Sequence, residues 1–251
     1  MDSLFPGVGT VINVFAIVGG AVIGGFLGHR FKERMRELVT DSLGLVTVVV
    51  GFMSAWVVGS QALSDSVGEG FPLLVVLGAL LLGAITGTLL KITEKFDSVG
   101  EFLNRRLSGQ TADSSRFLEG FVSASLLFVV GPLAIMGGIS DGLGTGIDQL
   151  LLKSSLDFFA AMAFAASFGS LGVASSALSV GLYQGVFTAI GVGLGSAISD
   201  AQIDALTATG GMLLIGVGLR LLNIRQIRVA DLLPALLFAP VLVLVMASLH
   251  S

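Results

Sequence analysis

Residues 158–199 form 42 consecutive positions without a charged side chain. A bilayer's hydrocarbon core is about 30 Å thick and is crossed by roughly 20 helical residues. The run is therefore long enough for two crossings and too apolar for a solvated surface. Shorter charge-free runs at 3–28, 42–64, 70–90, 120–140 and 232–249 tile most of the remaining chain. Charged residues make up 12% of the total, against roughly 25% in soluble domains, and the mean hydropathy is +0.96. The expected fold class is an all-α, polytopic transmembrane bundle, and its first partner is the lipid bilayer.

The positions of the bases set the direction of the spans. Spans are expected at about 8–28, 38–59, 72–90, 117–139, two within 158–199 divided by a turn near 175–179, then 205–222 and 232–249. Lys and Arg concentrate in short cytoplasmic loops of membrane proteins. With eight spans and both termini outside, 12 of the 13 Lys/Arg residues fall inside, Lys153 being the exception. A single crossing of 158–199 would instead put Arg220, Arg225 and Arg228 outside. Asp2 precedes the first apolar run and the bases follow it, so the N-terminus reads as a retained first span rather than a cleavable signal.

Several reaction classes lack their residues. There is no cysteine, and His29 and His250 lie at opposite ends of the chain. No span carries a His/Asp/Glu cluster or a serine beside a base at catalytic spacing. Neither an enzyme, a metal site, a cofactor nor a nucleic-acid partner is expected.

Small residues recur in a pattern. Gly20-xxx-Gly24-xxx-Gly28 in span 1 returns 171 residues later as Gly191-xxx-Gly195-xxx-Ser199, and the same offset aligns Asn13 with Gln184. An offset of 167 aligns Thr40, Ser42, Gly44 and Gly51 with Thr207, Thr209, Gly211 and Gly218. A fainter copy has Gly83-xxx-Gly87 with Ser123-Ala124-Ser125. The matching hairpins would insert in opposite senses, so an inverted repeat of spans 1–3 (about 8–90) against 6–8 (about 178–249) is expected, with spans 4–5 at about 117–174 between them. Such repeats are typical of secondary transporters with a site near the midplane. Chance in a chain with 35 glycines is the plainer account. The glycine zippers themselves suit close helix packing, within the chain or across a homodimer.

Candidate site residues follow from the same positions. They are the amides Asn13 and Gln184, the hydroxyls Thr40, Ser42, Ser123, Ser125, Thr207 and Thr209, and the acids Asp41 and Asp157. Gly210 and Gly211 join them, because paired glycines could let span 7 unwind and offer backbone groups to a ligand. A carboxylate at a helix start is more often a cap, serine and threonine often bond their own helix, and Lys153 one turn before Asp157 could simply pair with it. Pro132 and Pro240 should kink spans 4 and 8. The segment 141–148 reads as a Gly-rich outer connector. Residues 92–107 have the period of an amphipathic helix lying on the inner face, or of a docking site for a partner.

The stretches FVSASLLFVVGPLAIMGGISDG (121–142), KSSLDFF (153–159), YQG (183–185), LTATGGMLLIGVGLRLL (206–222) and IRVADLLPALLFAP (227–240) resemble the YdfK/YqgA-like (DUF554) bacterial inner-membrane proteins. The resemblance covers nearly the whole chain and implies a bacterial plasma-membrane location. It picks out Ser123, Ser125, Pro132, Asp157, Gln184, Thr207, Thr209, Gly210, Gly211 and Pro234 as motif positions and assigns none a role. The functional expectation is a secondary transporter of a small solute or ion, acting as a homodimer. An ion channel and a non-transporting scaffold or sensor are the alternatives.

Overall fold

The computed structural model describes residues 5–28, 30, 32–107, 114–129, 132–194 and 198–250, and no strand occurs among them. In chain order the helices are α1 (Val8–Gly28), α2 (Glu33–Ala55), α3 (Gln61–Val67), α4 (Pro72–Leu89), α5 (Ile92–Leu107), α6 (Ser114–Val129), α7 (Pro132–Leu143), α8 (Asp148–Phe168), α9 (Ser170–Leu194), α10 (Asp200–Leu221) and α11 (Ala235–His250). Single 3-10 turns at Trp56–Gly59 and Val229–Leu232 extend α2 and precede α11. Among the described residues, seven helical stretches are long and apolar enough to cross a membrane. The bent pair α6–α7, turned by 62° at its break, brings the number to eight if it is one span. The protein is a multi-pass helical bundle whose exposed faces carry large apolar side chains such as Phe15, Phe26, Phe52 and Leu237, as lipid contact requires.

The chain divides into two compact units. Unit 1 comprises 1–43, 97–129 and 133–197, and unit 2 comprises 44–96, 130–132 and 198–251. In unit 1, α1 buries one stripe: Gly9, Asn13, Ile17, Gly20, Gly24 and Gly28, spaced three or four apart. That stripe packs on α8 in the parallel sense. A methyl group on Gly20, Gly24 or Gly28 would run into the backbone carbonyls of Phe158, Met162 and Ala166 in turn. The zipper of span 1 is thus taken up inside the chain. Helix α9 runs antiparallel to α1, with Thr10 facing Thr188 and Gly181 close to Val14.

Along α9, first α6 and then α7 pack in one direction. Gly172 meets Phe117, Ser125 meets Ser179, and farther on Gly138 meets Phe187 while Gly142 and Gly191 meet each other. Of the second zipper, Gly191 is therefore also consumed within the unit, and Gly195 lies outside the described residues. Because α6 and α7 both advance along α9, the bent pair is one broken span rather than a loop that turns back.

Unit 2 pairs the second half of α2 with α10, antiparallel. Gly51 abuts Gly211 and Ile215, and Gly44 abuts Gly218 and Leu222. Helix α4 runs antiparallel to α11, with Gly78 near Leu242, Gly83 on Ala235 and Gly87 on the backbone of Asp231. Leu63, Val67, Val75, Ala79, Ala205, Ala235 and Val243 form part of its core. Ser199 and Gln202 form a capping box at the start of α10. Asp231, just before α11, accepts the Thr93 N–H at 2.9 Å and so caps the start of α5. Arg228 ties this corner together through Asp231 and Glu94, at 3.0 and 2.9 Å.

Four local expectations change. The division of the long run falls at Gly169, not near 175–179. Gly169 has φ +95°, which a residue with a Cβ takes only under strain. Ser175 and Ser176 bond back to Leu171 and Val173 and stay helical. Helix α10 passes unbroken through Gly210 and Gly211. The glycine is used for approach: a side chain at Gly211 would strike the Ala55 backbone nitrogen. Asp141 belongs to α7 rather than to a connector. Lys153 and Asp157 sit within α8, which begins at Asp148.

Candidate functional site

The polar residues of unit 1 converge where α1, α8 and α9 meet. Lys153 and Asp157 stand one turn apart on the same face of α8, the spacing at which a helix brings opposite charges together. Lys153 Nζ donates to Asp157 Oδ2 at 2.7 Å, and both side chains are over 90% buried. From α1, Asn13 Nδ2 donates to the same oxygen at 2.9 Å. Asn13 is fully buried, and its Oδ1 has no partner.

Gln184 on α9 is level with Asn13, since Thr10 pairs with Thr188 and Val14 with Gly181 on either side of it. It is 0% exposed, and among the described residues neither end of its amide finds a hydrogen bond. The neighbouring Tyr183 hydroxyl is likewise buried and unpartnered. A buried polar group without a partner costs about 1–3 kcal/mol, so a fully buried amide open at both ends stands out. One turn before Asn13 on α1, Gly9 donates its N–H to Oδ2 of Asp141 of α7 at 3.0 Å; Asp141 is 0% exposed, and its Oδ1 has no partner among the described residues.

Of the residues expected from the sequence, unit 1 brings Asn13 and Asp157 into direct contact and sets Gln184 at their level. Ser123 and Ser125 are buried on α6, where they bond Glu119 at 3.4 Å and Ser179 at 3.1 Å. Thr40 is half-buried, Asp41 and Ser42 are exposed, and Ser42 returns its hydroxyl to Leu38 O at 2.7 Å. Thr207, Thr209, Gly210 and Gly211 lie buried on α10 in unit 2, with both threonine hydroxyls unpartnered. Asp141, Tyr183, Thr10 and Thr188 were not among the expected residues. The threonines carry a faint signal, lying on the helical face of Asn13 and Gln184 respectively. Among the described residues no group of three or more His, Cys, Asp or Glu is placed to hold a metal ion.

Residues 8–244 match the family profile described as "Protein of unknown function (DUF554)". The chain is 28% identical over 237 residues to "Uncharacterized membrane protein YdfK" of Bacillus subtilis (strain 168), a match covering 94% of this chain and 96% of that protein. It is 30% identical over 240 residues to "Uncharacterized protein YqgA" of Escherichia coli (strain K12), covering 92% and 94%. No solved structure matches. With the profile spanning nearly every helix described above, the chain belongs to the DUF554 family.

Proposed function

We propose that the protein is a secondary transporter of a small solute or ion, not an enzyme, with its site among Asn13, Lys153, Asp157 and Gln184. The observation that carries this reading is Gln184, wholly buried with an unpartnered amide at the level of the Lys153–Asp157 pair. Ionisable groups inside a span are expensive and mark solute or proton paths by default.

The proposed inverted repeat has support from register. Helices equivalent under it are antiparallel in three pairs: α1 with α9, α2 with α10, and α4 with α11. In the second pair, Gly44 meets Gly218 while Gly51 meets Gly211. Since Gly44 corresponds to Gly211 and Gly51 to Gly218, the contacts are reciprocal, as across a two-fold axis. Asn13 and its counterpart Gln184 likewise fall level with each other on α1 and α9. The broken span α6–α7 is a further device of transporter folds.

The bacterial relatives, one of them named a membrane protein, favour a bacterial plasma membrane, and the distribution of Lys and Arg favours both termini outside. A homodimer would use faces other than those of Gly20, Gly24, Gly28 and Gly191, which are packed inside unit 1. To test transport, the purified chain in liposomes is screened for solute-driven ion or pH flux. Flux above that of empty liposomes supports the reading, and none with any solute or gradient ends it. A scaffold or sensor is the second reading, favoured by the exposed Val99 and Phe102 of α5. Loss of a partner in pull-downs when those two are changed to Ser, with flux absent throughout, would select it.

A further inference from the structure

Asp157 Oδ2 lies between two donors on different helices, Lys153 Nζ at 2.7 Å and Asn13 Nδ2 at 2.9 Å. That is a seat for one anionic oxygen, filled here by the protein's own carboxylate. Resting on the transporter reading, we propose that the solute is a small oxygen-bearing anion carried with one proton. The proton goes to Asp157, and an oxygen of the anion takes the place between Lys153 Nζ and Asn13 Nδ2.

Charge balance leads to this pairing. When Asp157 takes a proton, its carboxylate becomes a carboxylic acid, and no other bond is made or broken. The Lys153 ammonium then remains charged and without its counter-ion in a desolvated place, which is strongly unfavourable. An incoming anion restores neutrality, so proton and anion each make room for the other. Gln184 Nε2 is a buried donor on α9 at the level of Asn13, without a partner among the described residues and available to the rest of the anion.

A hard metal cation fits less well. It needs about six or more oxygen ligands, whereas the oxygen it would approach is already held by an ammonium and an amide N–H. The titratable groups on the helices around Asp157 are few. Lys153 and, at its first turn, Asp148 are on its own helix, Tyr183 on α9, and Asp141 on α7, held through Gly9. Glu119 and Arg116 are on α6, where Arg116 bonds Ser167 near the far end of α8. Helix α1 has none.

The full chain in lipid nanodiscs is heated in sodium lactate, phosphate or nitrate, against sodium chloride of equal ionic strength, at about pH 5 and about pH 8, an acidic and a mildly basic condition on either side of neutrality. At least one oxyanion is expected to raise the Tm above the chloride reference, more so at the acidic pH. Which salt acts distinguishes a carboxylate from an inorganic oxyanion. Asp157→Asn should show that rise at both pH values, and Lys153→Met/Asp157→Leu should show none. If Asp157→Asn does not fold, the wild-type pH comparison and the double variant decide alone. An absence of any oxyanion effect, an effect that persists in the double variant, or stabilisation by sodium over choline instead would overturn the proposal. Liposome flux of a cation or neutral solute without this anion response leaves transport standing and removes the proton–anion pairing. Anion binding without flux does the reverse.

Discussion

Helices α1 and α9 in unit 1 and helices α2 and α10 in unit 2 are both antiparallel pairs rich in small residues, yet they meet through different chemistry. The first pair meets at Thr10 and Thr188, with Asn13 and Gln184 at one level and a buried ion pair on α8 bonded to Asn13. The second meets through Gly44, Gly51, Gly211 and Gly218, backbone against backbone. Without a hydrophobic drive between helices in lipid, close approach and interhelical hydrogen bonds are the two sources of cohesion. The glycine pair takes the first to its limit. The polar pair keeps a fully buried amide, Gln184, open at both ends among the described residues, and the transport site proposed above is placed there for that reason.

The largest effect should come from splitting the ion pair. Lys153→Met leaves a buried carboxylate without its cation and should cost about 3–5 kcal/mol, whereas Lys153→Met/Asp157→Leu should recover most of that. Thermal unfolding of the two variants side by side checks this, and equal stability would mean that the charges are solvated. Next is the glycine crossing. Gly211→Val pushes a side chain into the Ala55 and Gly51 backbones and should cost about 1–3 kcal/mol or more, with no comparable loss for Gly193→Val, which has open space around it.

Gln184→Leu should move in the opposite direction. Removing an unsatisfied amide should leave stability unchanged or raise it by about 1 kcal/mol, while liposome flux falls. A residue that only packs would lose stability instead. The smallest of these effects belongs to the α5 cap. Asp231→Ala should cost roughly 1 kcal/mol, read as faster amide exchange at the start of α5.

The spans were legible because charge-free runs and the alternation of Lys/Arg-rich loops are properties of the local sequence. Helix α5 was legible for the same reason, through its period. The break at Gly169 was not, because a serine cluster looks more like a turn than one glycine does. Only the geometry shows that Ser175 and Ser176 bond inward. Lys153 resembled a loop residue, although its partner one turn away was visible in the sequence. Asn13 and Asp157 were each suspected alone, but their bond spans 144 residues and no local pattern encodes it. Asp141 was hidden for a similar reason, since its partner is a backbone N–H 132 residues distant.

The chain has no cysteine, so a single introduced one can report access to the polar cluster without knowledge of the solute. Gln184→Cys in sealed vesicles of both orientations is treated with a membrane-impermeant maleimide, with Ala239→Cys in the core of unit 2 as the buried reference. A transport site predicts labelling of Cys at 184 from either side of the membrane while the reference stays protected. Protection of both positions from both sides would show that the cluster is sealed structural core.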